Sequence, residues 1–498
     1  MAERRPLPPR ELLPAFPHAT VRLPSWLVLV LGALAAVGGG LEVARLVVGH
    51  SPLLVLALLL ALAGGVLALS DVRAALWLTL GVVTLLPYAV IPIRVGLTLT
   101  LFEAGALAAV GVWLLLLLLH REQTMQTGTA AWGVWLFLAV TLFALILGIG
   151  RGYTMETFHG YGKFVLAVLL FFVVWNATRT LADARRLVTV LLAGAGLAAF
   201  IGLVLYAGGA GLTLRVLSRL IPFGYPSGSI VRYIEDNPNS AMRLVSTSVD
   251  PNSFGGLLAL ALVLGVSQFI ARRPVVSRWL SGGASLFCAG TVLLTYSRGA
   301  WVGAAAGFGL LALLRYRWLF APGAALALAV LAFGIGHGFV HRFWLGLTLQ
   351  DPATKLRLQE YQNALSIIRT HPLFGVGFGA APSIDQQTGV SSIYLSIAER
   401  AGFLGVAVFL FALGAVVLAG WRAWREAPEG AYNDLLLGLL AALASALVVG
   451  VFDHYYFNIM FPHMAALFWM TCGLILALAT MPIAERWDAV MEPGGVDG

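Results

Sequence analysis

The chain has 498 residues, of which 60% are hydrophobic and only 11% are charged, and its mean hydropathy is +0.90. These values exclude an ordinary soluble protein and predict a polytopic α-helical membrane protein. The formal net charge of +8 could suggest a nucleic-acid partner, but the Lys and Arg residues fall in short clusters between apolar segments. That distribution indicates membrane topology, so no nucleic acid is expected.

A spanning helix needs roughly 20 apolar residues, and fourteen segments are candidates. In chain order they are 26–48, 52–69, 74–91, 95–119, 131–150, 164–177, 187–207, 254–270, 279–295, 301–314, 318–340, 392–420, 435–450 and 457–481. Several are short, so twelve to fourteen spans are predicted. The fold class is therefore all-α, a transmembrane helix bundle with a large outer loop that contains an amphipathic helix.

The expected organisation follows from these segments. It comprises a cytoplasmic tail (1–25), N-terminal helices (26–207), an outer loop (208–252), central helices (253–340), a large outer loop (341–391), C-terminal helices (392–481) and a second tail (482–498). With the N-terminus inside, the short Arg-bearing loops face the cytoplasm, as the positive-inside rule requires. The long polar segments then face outwards. ATP and nucleotide sugars are cytoplasmic, so an activated substrate is expected to arrive on a membrane-borne carrier.

The longest polar stretch runs from His341 to Gly405 and is predicted to begin with an amphipathic helix that caps the bundle or lies on the membrane. Its predicted apolar face consists of Leu358, Tyr361, Ala364, Leu365 and Ile368. Pro372 and the glycines Gly375, Gly377 and Gly379 are predicted to end the helix and to let the backbone fold tightly. A loop of this length within a membrane domain is expected to be functional.

Four stretches in the C-terminal half occur in order on one predicted face. They are MRLVSTSVDPNSFGG (242–256), TYSRGAWVGAAAG (295–307), RLQEYQNALSIIRTHPLFGVGFG (357–379) and SSIYLSIAERAGFLG (391–405). They resemble the O-antigen ligase and O-antigen polymerase family of bacterial polysaccharide assembly. The N-terminal half is only generically similar.

The resemblance implies a membrane glycosyltransferase of the C type in the bacterial cytoplasmic membrane. Such an enzyme transfers a glycan from an undecaprenyl-diphosphate carrier to a glycan or lipid-linked acceptor outside the cytoplasm, with inversion and without metal or cofactor. The lipid bilayer and, for a polymerase, a chain-length regulator would be further partners. Ligases of the family usually carry His-Asn before the Tyr-Leu of the last motif, where the His activates the acceptor. Ser391 and Ser392 stand there in this chain, which favours a polymerase or divergent member over a lipid A core ligase.

The candidate substrate-binding residues follow from the charge that develops on the leaving diphosphate. Arg243 and Arg298 lie in matched stretches and are the first candidates to bind it, because a guanidinium binds phosphate oxygens bidentately. Arg357 is a third candidate. The alternatives are an interfacial anchor for Arg298 and surface charge for Arg357.

Activation of the acceptor hydroxyl is expected to require a base. Asp385 is the first candidate and Glu399 the second, and each could instead be a solvated carboxylate or an Arg partner. Tyr394, Asp453 and His454 are predicted to bind substrate, although a lone His is more often structural. Asp250 is expected to cap the helix that begins near Ser253.

Two other functions remain open. A transporter of polysaccharide or lipid carrier would place charges near the membrane midplane, whereas the polar residues here gather on one predicted face. A non-catalytic scaffold of the cell-wall machinery would tolerate substitution of Arg243 or Arg298. The enzyme is favoured over both.

Overall fold

A computed structural model describes residues 62–91, 99–119, 125–228, 230–321, 323–325, 344, 348, 352–379 and 389–482. The chain divides into two units, Met1–Asp71 and Val72–Gly498. Residues 62–70 of the first unit are helical. The predicted span 26–48 and most of the predicted span 318–340 lie outside the described residues.

The second unit is an all-α bundle, as predicted. Its helices are α1 (Val72–Leu85), α2 (Leu101–Leu119), α3 (Thr129–Leu147), α4 (Met155–Ala177), α5 (Leu181–Ala207), α6 (Gly209–Ser218), α7 (Pro251–Ile270), α8 (Arg278–Leu294), α9 (Arg298–Leu314), α10 (Pro352–Thr370), α11 (Ile393–Glu426), α12 (Ala431–Phe452) and α13 (Pro462–Ala479). Within the described residues, eight of these helices are long and apolar enough to cross a membrane: α2 to α5, α7 and α11 to α13. The chain is therefore a multi-pass membrane protein.

Two segments that were predicted as polar connections contain regular structure. Helix α4 begins at Met155, before the predicted start at residue 164, because Thr154 and Thr157 form a capping box. The segment 208–252 contains α6 and two antiparallel strands of two residues each, β1 (Arg232–Tyr233) and β2 (Met242–Arg243). Local capping and pairing satisfy backbone groups that composition alone assigns to loops.

A stripe of glycines brings α9 against α12. Gly299, Gly303 and Gly307 recur every four residues on α9. A Cβ atom on Gly303 would lie 2.8 Å from the carbonyl oxygen of Ser445 on α12, and one on Gly299 would lie 3.1 Å from Cβ of Phe452. Small residues at this spacing allow helix backbones to approach closely. The start of α9 is consequently held beside the end of α12, and this end of the bundle is called the site end below.

Helix α11 is interrupted at Gly402, which has φ 69° and ψ −172°. The interruption frees backbone groups that an unbroken helix would use internally, and the segment 372–377 bonds to them. The four hydrogen bonds run from Val376 N to Glu399 O (2.9 Å), from Gly377 N to Arg400 O (2.9 Å), from Phe403 N to Pro372 O (2.7 Å) and from Leu404 N to Leu373 O (3.3 Å). The predicted single helix 392–420 is thus two segments that hold the glycine-rich loop between them.

An ion-pair cluster closes the opposite end of the bundle. The carboxylate of Asp434, at the start of α12, pairs with the guanidinium of Arg315 at the end of α9. The hydroxyl of Tyr316 lies 3.4 Å from the same carboxylate. Glu429 also pairs with Arg315, at 3.8 Å, but its side chain is 65% exposed whereas that of Asp434 is 4% exposed.

We expect Asp434→Ala to lower the free energy of unfolding by about 3 kcal/mol, because removing one partner leaves the largely buried charge of Arg315 without its closest compensation. Glu429→Ala is the matched control, and its effect should stay within about 0.5 kcal/mol because the carboxylate is exposed. Chemical unfolding of the purified protein in detergent measures both. Equal effects of the two substitutions would show that Asp434 does not stabilise this end of the bundle.

Candidate functional site

Helix α10 contributes one polar face to the site end. Three residues of this helix, spaced three apart in sequence, contact polar side chains from other segments. Arg298 Nη2 donates to Thr354 Oγ1 at 3.1 Å, Arg357 Nη2 lies 3.7 Å from Asp453 Oδ2, and Ser391 Oγ donates to Glu360 Oε2 at 2.7 Å. Residues three apart on a helix share a face. The face therefore connects the start of α9, the segment after α12 and the segment before α11.

The predicted apolar face of α10 is wrong in part. Leu358 and Leu365 are exposed, whereas Glu360, Ala364 and Ile368 are buried. Ala364 and Ile368 are therefore buried as predicted, whereas the contact of Glu360 with Ser391 adds a carboxylate to the buried side, which hydrophobic spacing alone does not predict.

Arg243 is held beside the site end by groups from two other segments. Its Nε donates to the carbonyl oxygen of Thr295 at 2.9 Å, and its Nη2 donates to Asn252 Oδ1 at 2.6 Å. Asp250 caps α7 as predicted, because its Oδ1 accepts from the backbone N–H of Ser253 at 2.7 Å. Arg243 thus joins two of the four stretches, 242–256 and 295–307, and the hydrogen bond from Arg298 to Thr354 ties the second of them to α10.

Asp453 and His454 lie just beyond the end of α12, and both side chains are buried. The backbone N–H of His454 donates to Asp453 Oδ1 at 3.0 Å, while the other carboxylate oxygen pairs with Arg357. Burial raises the pKa of Asp453, and His454 and Arg357 oppose that rise. Because both of its oxygens are engaged, Asp453 is suited to positioning Arg357.

The tautomer of His454 is fixed by its neighbours. The amide oxygen of Asn458 accepts from the backbone N–H of Met460 at 2.8 Å, so the Asn458 amide nitrogen faces His454 Nδ1, 3.0 Å away, and donates to it. A neutral imidazole that accepts at Nδ1 carries its proton on Nε2. Burial lowers the pKa of His454, and Asp453 offsets this only in part. His454 is therefore a neutral N–H donor, suited to a sugar hydroxyl or a leaving-group oxygen.

Arg400 is a site-end cation that sequence reasoning did not single out. Its guanidinium carbon lies 5.5 Å from the centre of the Phe378 ring, and the backbone N–H of Phe378 donates to the hydroxyl of Tyr153 at 2.8 Å. Arg400 is close enough to His454 to lower the pKa of that imidazole. The available signal was its position within the matched stretch 391–405.

The remaining predicted residues have different placements. Asp385 lies outside the described residues. The Tyr394 hydroxyl donates to the carbonyl oxygen of Leu447 at 3.0 Å and so ties α11 to α12. Glu399 is 3% exposed and immediately precedes Arg400. Among the described residues, no group of three or more His, Cys, Asp or Glu side chains is arranged to hold a metal ion.

A comparison with known protein families matches one segment of the chain, and that segment contains several of the site-end residues described above. Residues 283–410 match the family described as O-antigen ligase. The matched range contains α9, α10 and the first part of α11, and therefore Arg298, Arg357, Glu360 and Arg400. No curated protein matches the chain.

Proposed function

We propose that this membrane protein transfers a glycan from an undecaprenyl-diphosphate carrier to a growing cell-surface polysaccharide, because residues 283–410 match the O-antigen ligase family. The observation that carries the proposal is the α10 face. It joins Arg298 on α9 and Asp453 beyond α12 through Thr354 and Arg357. Helices separated in sequence thus supply cations to one end of the bundle.

The chemistry explains why cations are needed at that end. Negative charge builds up on the diphosphate as the bond from its oxygen to the anomeric carbon breaks, and fixed cations stabilise that charge in the transition state. A guanidinium remains charged and binds two phosphate oxygens at once. Arg298 and Arg357 would hold the diphosphate, with Arg243 and Arg400 at its edges. His454 would donate its Nε2–H to the donor or to its leaving oxygen.

The membrane orientation belongs to the same proposal. The site end would face away from the cytoplasm of a bacterial inner membrane, since the short Arg-bearing loops lie at the other end and favour the cytoplasmic side. Direct attack by an acceptor hydroxyl would invert the configuration at the anomeric carbon. These residues would do this without a metal ion.

A polymerase is favoured slightly over a lipid A core ligase. Ser391 occupies the position before Tyr394 where the resemblance leads one to expect an imidazole, and it bonds to the carboxylate of Glu360 instead. A different acceptor-activating group suggests a different acceptor. A ligase remains the second candidate, because the matched family is described by that activity.

The test is glycan transfer by the purified protein in lipid vesicles, with undecaprenyl-diphosphate-linked repeat units and a chelator present. We expect a ladder of products without a lipid A core acceptor. Arg298→Ala should lower the rate about 100-fold, the usual effect of removing one donor that stabilises developing negative charge. Arg215→Ala, which removes an exposed arginine of α6, should leave the rate unchanged.

Each other outcome has a defined meaning. Product formed only with the lipid A core acceptor would identify a ligase. Loss of the ladder on chelation, restored by a divalent cation, would overturn the metal-independent mechanism. Absence of product with every acceptor, combined with movement of the lipid-linked substrate across the bilayer, would replace the enzyme with a transporter.

A further inference from the structure

A carboxylate lies one turn from the proposed diphosphate-binding arginine. Glu360 follows Arg357 by three residues on α10, so their Cβ atoms are about 5–6 Å apart. The Glu360 Oε2 accepts two hydrogen bonds from Ser391, one from its hydroxyl at 2.7 Å and one from its backbone N–H at 3.1 Å. The hydroxyl of Tyr361 donates to the carbonyl oxygen of Ser391 at 3.0 Å. Ser391 is thus fixed between α10 and the start of α11.

Most other buried carboxylates at the site end are committed to structural partners. Glu103 lies 2.5 Å from His159 Nε2 and 3.5 Å from Lys163 Nζ. Asp250 caps α7, and Asp453 is paired with Arg357. Glu399 lies at the break of α11, where its backbone carbonyl oxygen accepts from Val376 of the glycine-rich loop, while its carboxylate interacts with the neighbouring Arg400. Among the carboxylates of the site end that the structure describes, Glu360 is the one that both accepts from a hydroxyl group and shares a helix face with Arg357.

We infer that Glu360 is the general base that activates the acceptor hydroxyl, with Ser391 relaying the proton; this inference rests on the proposed glycosyl transfer. As the acceptor oxygen forms its bond to the anomeric carbon, its proton passes to Ser391 Oγ, and the proton of Ser391 passes to Glu360 Oε2. The bond from the anomeric carbon to the diphosphate breaks with its electron pair on the phosphate oxygen. Glu360 ends protonated and returns the proton to water.

The decisive variant is Glu360→Gln in the full-length protein. The amide oxygen of Gln can still accept from Ser391, so the local structure is retained while the basic group is lost. We expect transfer to fall about 100-fold or more, the usual contribution of general base catalysis. Binding of the undecaprenyl-diphosphate donor should remain within twofold of native. Glu156→Gln, at an exposed position at the start of α4, is the matched control and should leave transfer unchanged.

The pH profile separates catalysis from a structural role. The native rate should rise with pH over the range in which a carboxyl group ionises, and Glu360→Gln should lose that rise. Arg357 on α10 and Asp453 beyond α12 are charged groups near this face, since both act, together with Glu360, on the pKa of the adjacent Tyr361. Neither is altered in the variant. Ser391→Ala should slow transfer about 10-fold and keep the rise, because a water molecule can replace the hydroxyl as the relay.

The outcomes distinguish this inference from the proposed function. An inactive native protein would contradict the proposed function. An active native protein with an equally active Glu360→Gln variant would overturn the inference alone, and loss of the pH-dependent rise in Glu399→Gln instead would assign the base to Glu399. A Glu360→Gln variant that unfolds at lower temperature and loses donor binding would also overturn it, showing that Glu360 is structural.

Discussion

Arg357→Ala is expected to lower the rate of transfer at saturating donor by about 1,000-fold or more, the largest effect among the site-end arginines. Two losses combine in this variant. Under the proposed function, the diphosphate would lose a cation that shares the α10 face with Thr354 and Glu360, and the carboxylate of Asp453 would lose its ion-pair partner at 3.7 Å. The Asp453 side chain is only 8% exposed, so its unpaired charge would repel an anionic substrate in surroundings that screen poorly.

Comparison with a double variant divides the effect between these two causes. Arg357→Ala/Asp453→Asn removes the cation together with the carboxylate, so it should recover roughly 10-fold of the lost rate if Asp453 repels the donor. Arg369→Ala removes an exposed arginine from the last turn of the same helix and should leave the rate of transfer unchanged. Rates measured with the lipid-linked donor, together with donor binding, check both expectations. A rate for Arg357→Ala within tenfold of native would remove Arg357 from the diphosphate site.

The sequence predicted the helical class and most spans because a membrane-crossing helix must be long and apolar. It also located Asp250 as a helix cap, since a cap depends on neighbours in the chain. It placed Ala364 and Ile368 of α10 on the buried side correctly, but it did not predict that Glu360 lies on that side with them. Glu360 looks like a solvated polar residue in the sequence, and only its contact with Ser391, 31 residues away, shows that this face is buried.

The individual roles of the site residues depend on contacts that no local pattern encodes. His454 was predicted as a sugar-binding residue, but its protonation depends on the orientation of the Asn458 amide, which Met460 fixes in turn. The glycine-rich loop binds beside Arg400 because the backbone at Gly402 departs from helical geometry, which leaves the carbonyl groups of Glu399 and Arg400 available to that loop. The predicted site residues stay predictions, and the structure gives contacts for those of them that it describes.

Gly402→Ala is expected to destabilise the protein by about 4 kcal/mol and to abolish transfer, although no chemical group of the site is removed. Gly402 has a φ of 69°, a conformation that strains residues with a side chain by about 1–3 kcal/mol. The added Cβ would also overlap the carbonyl group of Leu373, and overpacking typically costs a further 1–3 kcal/mol. The two sources of strain act at one position.

The loss of activity follows from what the interruption positions. Gly402 separates the carbonyl groups of Glu399 and Arg400, which bind the loop 372–377, from the amide groups of Phe403 and Leu404, which bind its start. An unbroken helix would use these groups internally, so the loop would be released and Phe378 would no longer lie against Arg400. Gly414→Ala is the matched control on α11, because nothing lies within 4 Å of a Cβ added there.

Thermal unfolding in detergent and the transfer assay measure both variants. Equal stability of the two would show that the interruption at Gly402 is not required by the fold, whereas a stable but inactive Gly402→Ala would show that the broken helix serves mainly to place Arg400 and the glycine-rich loop.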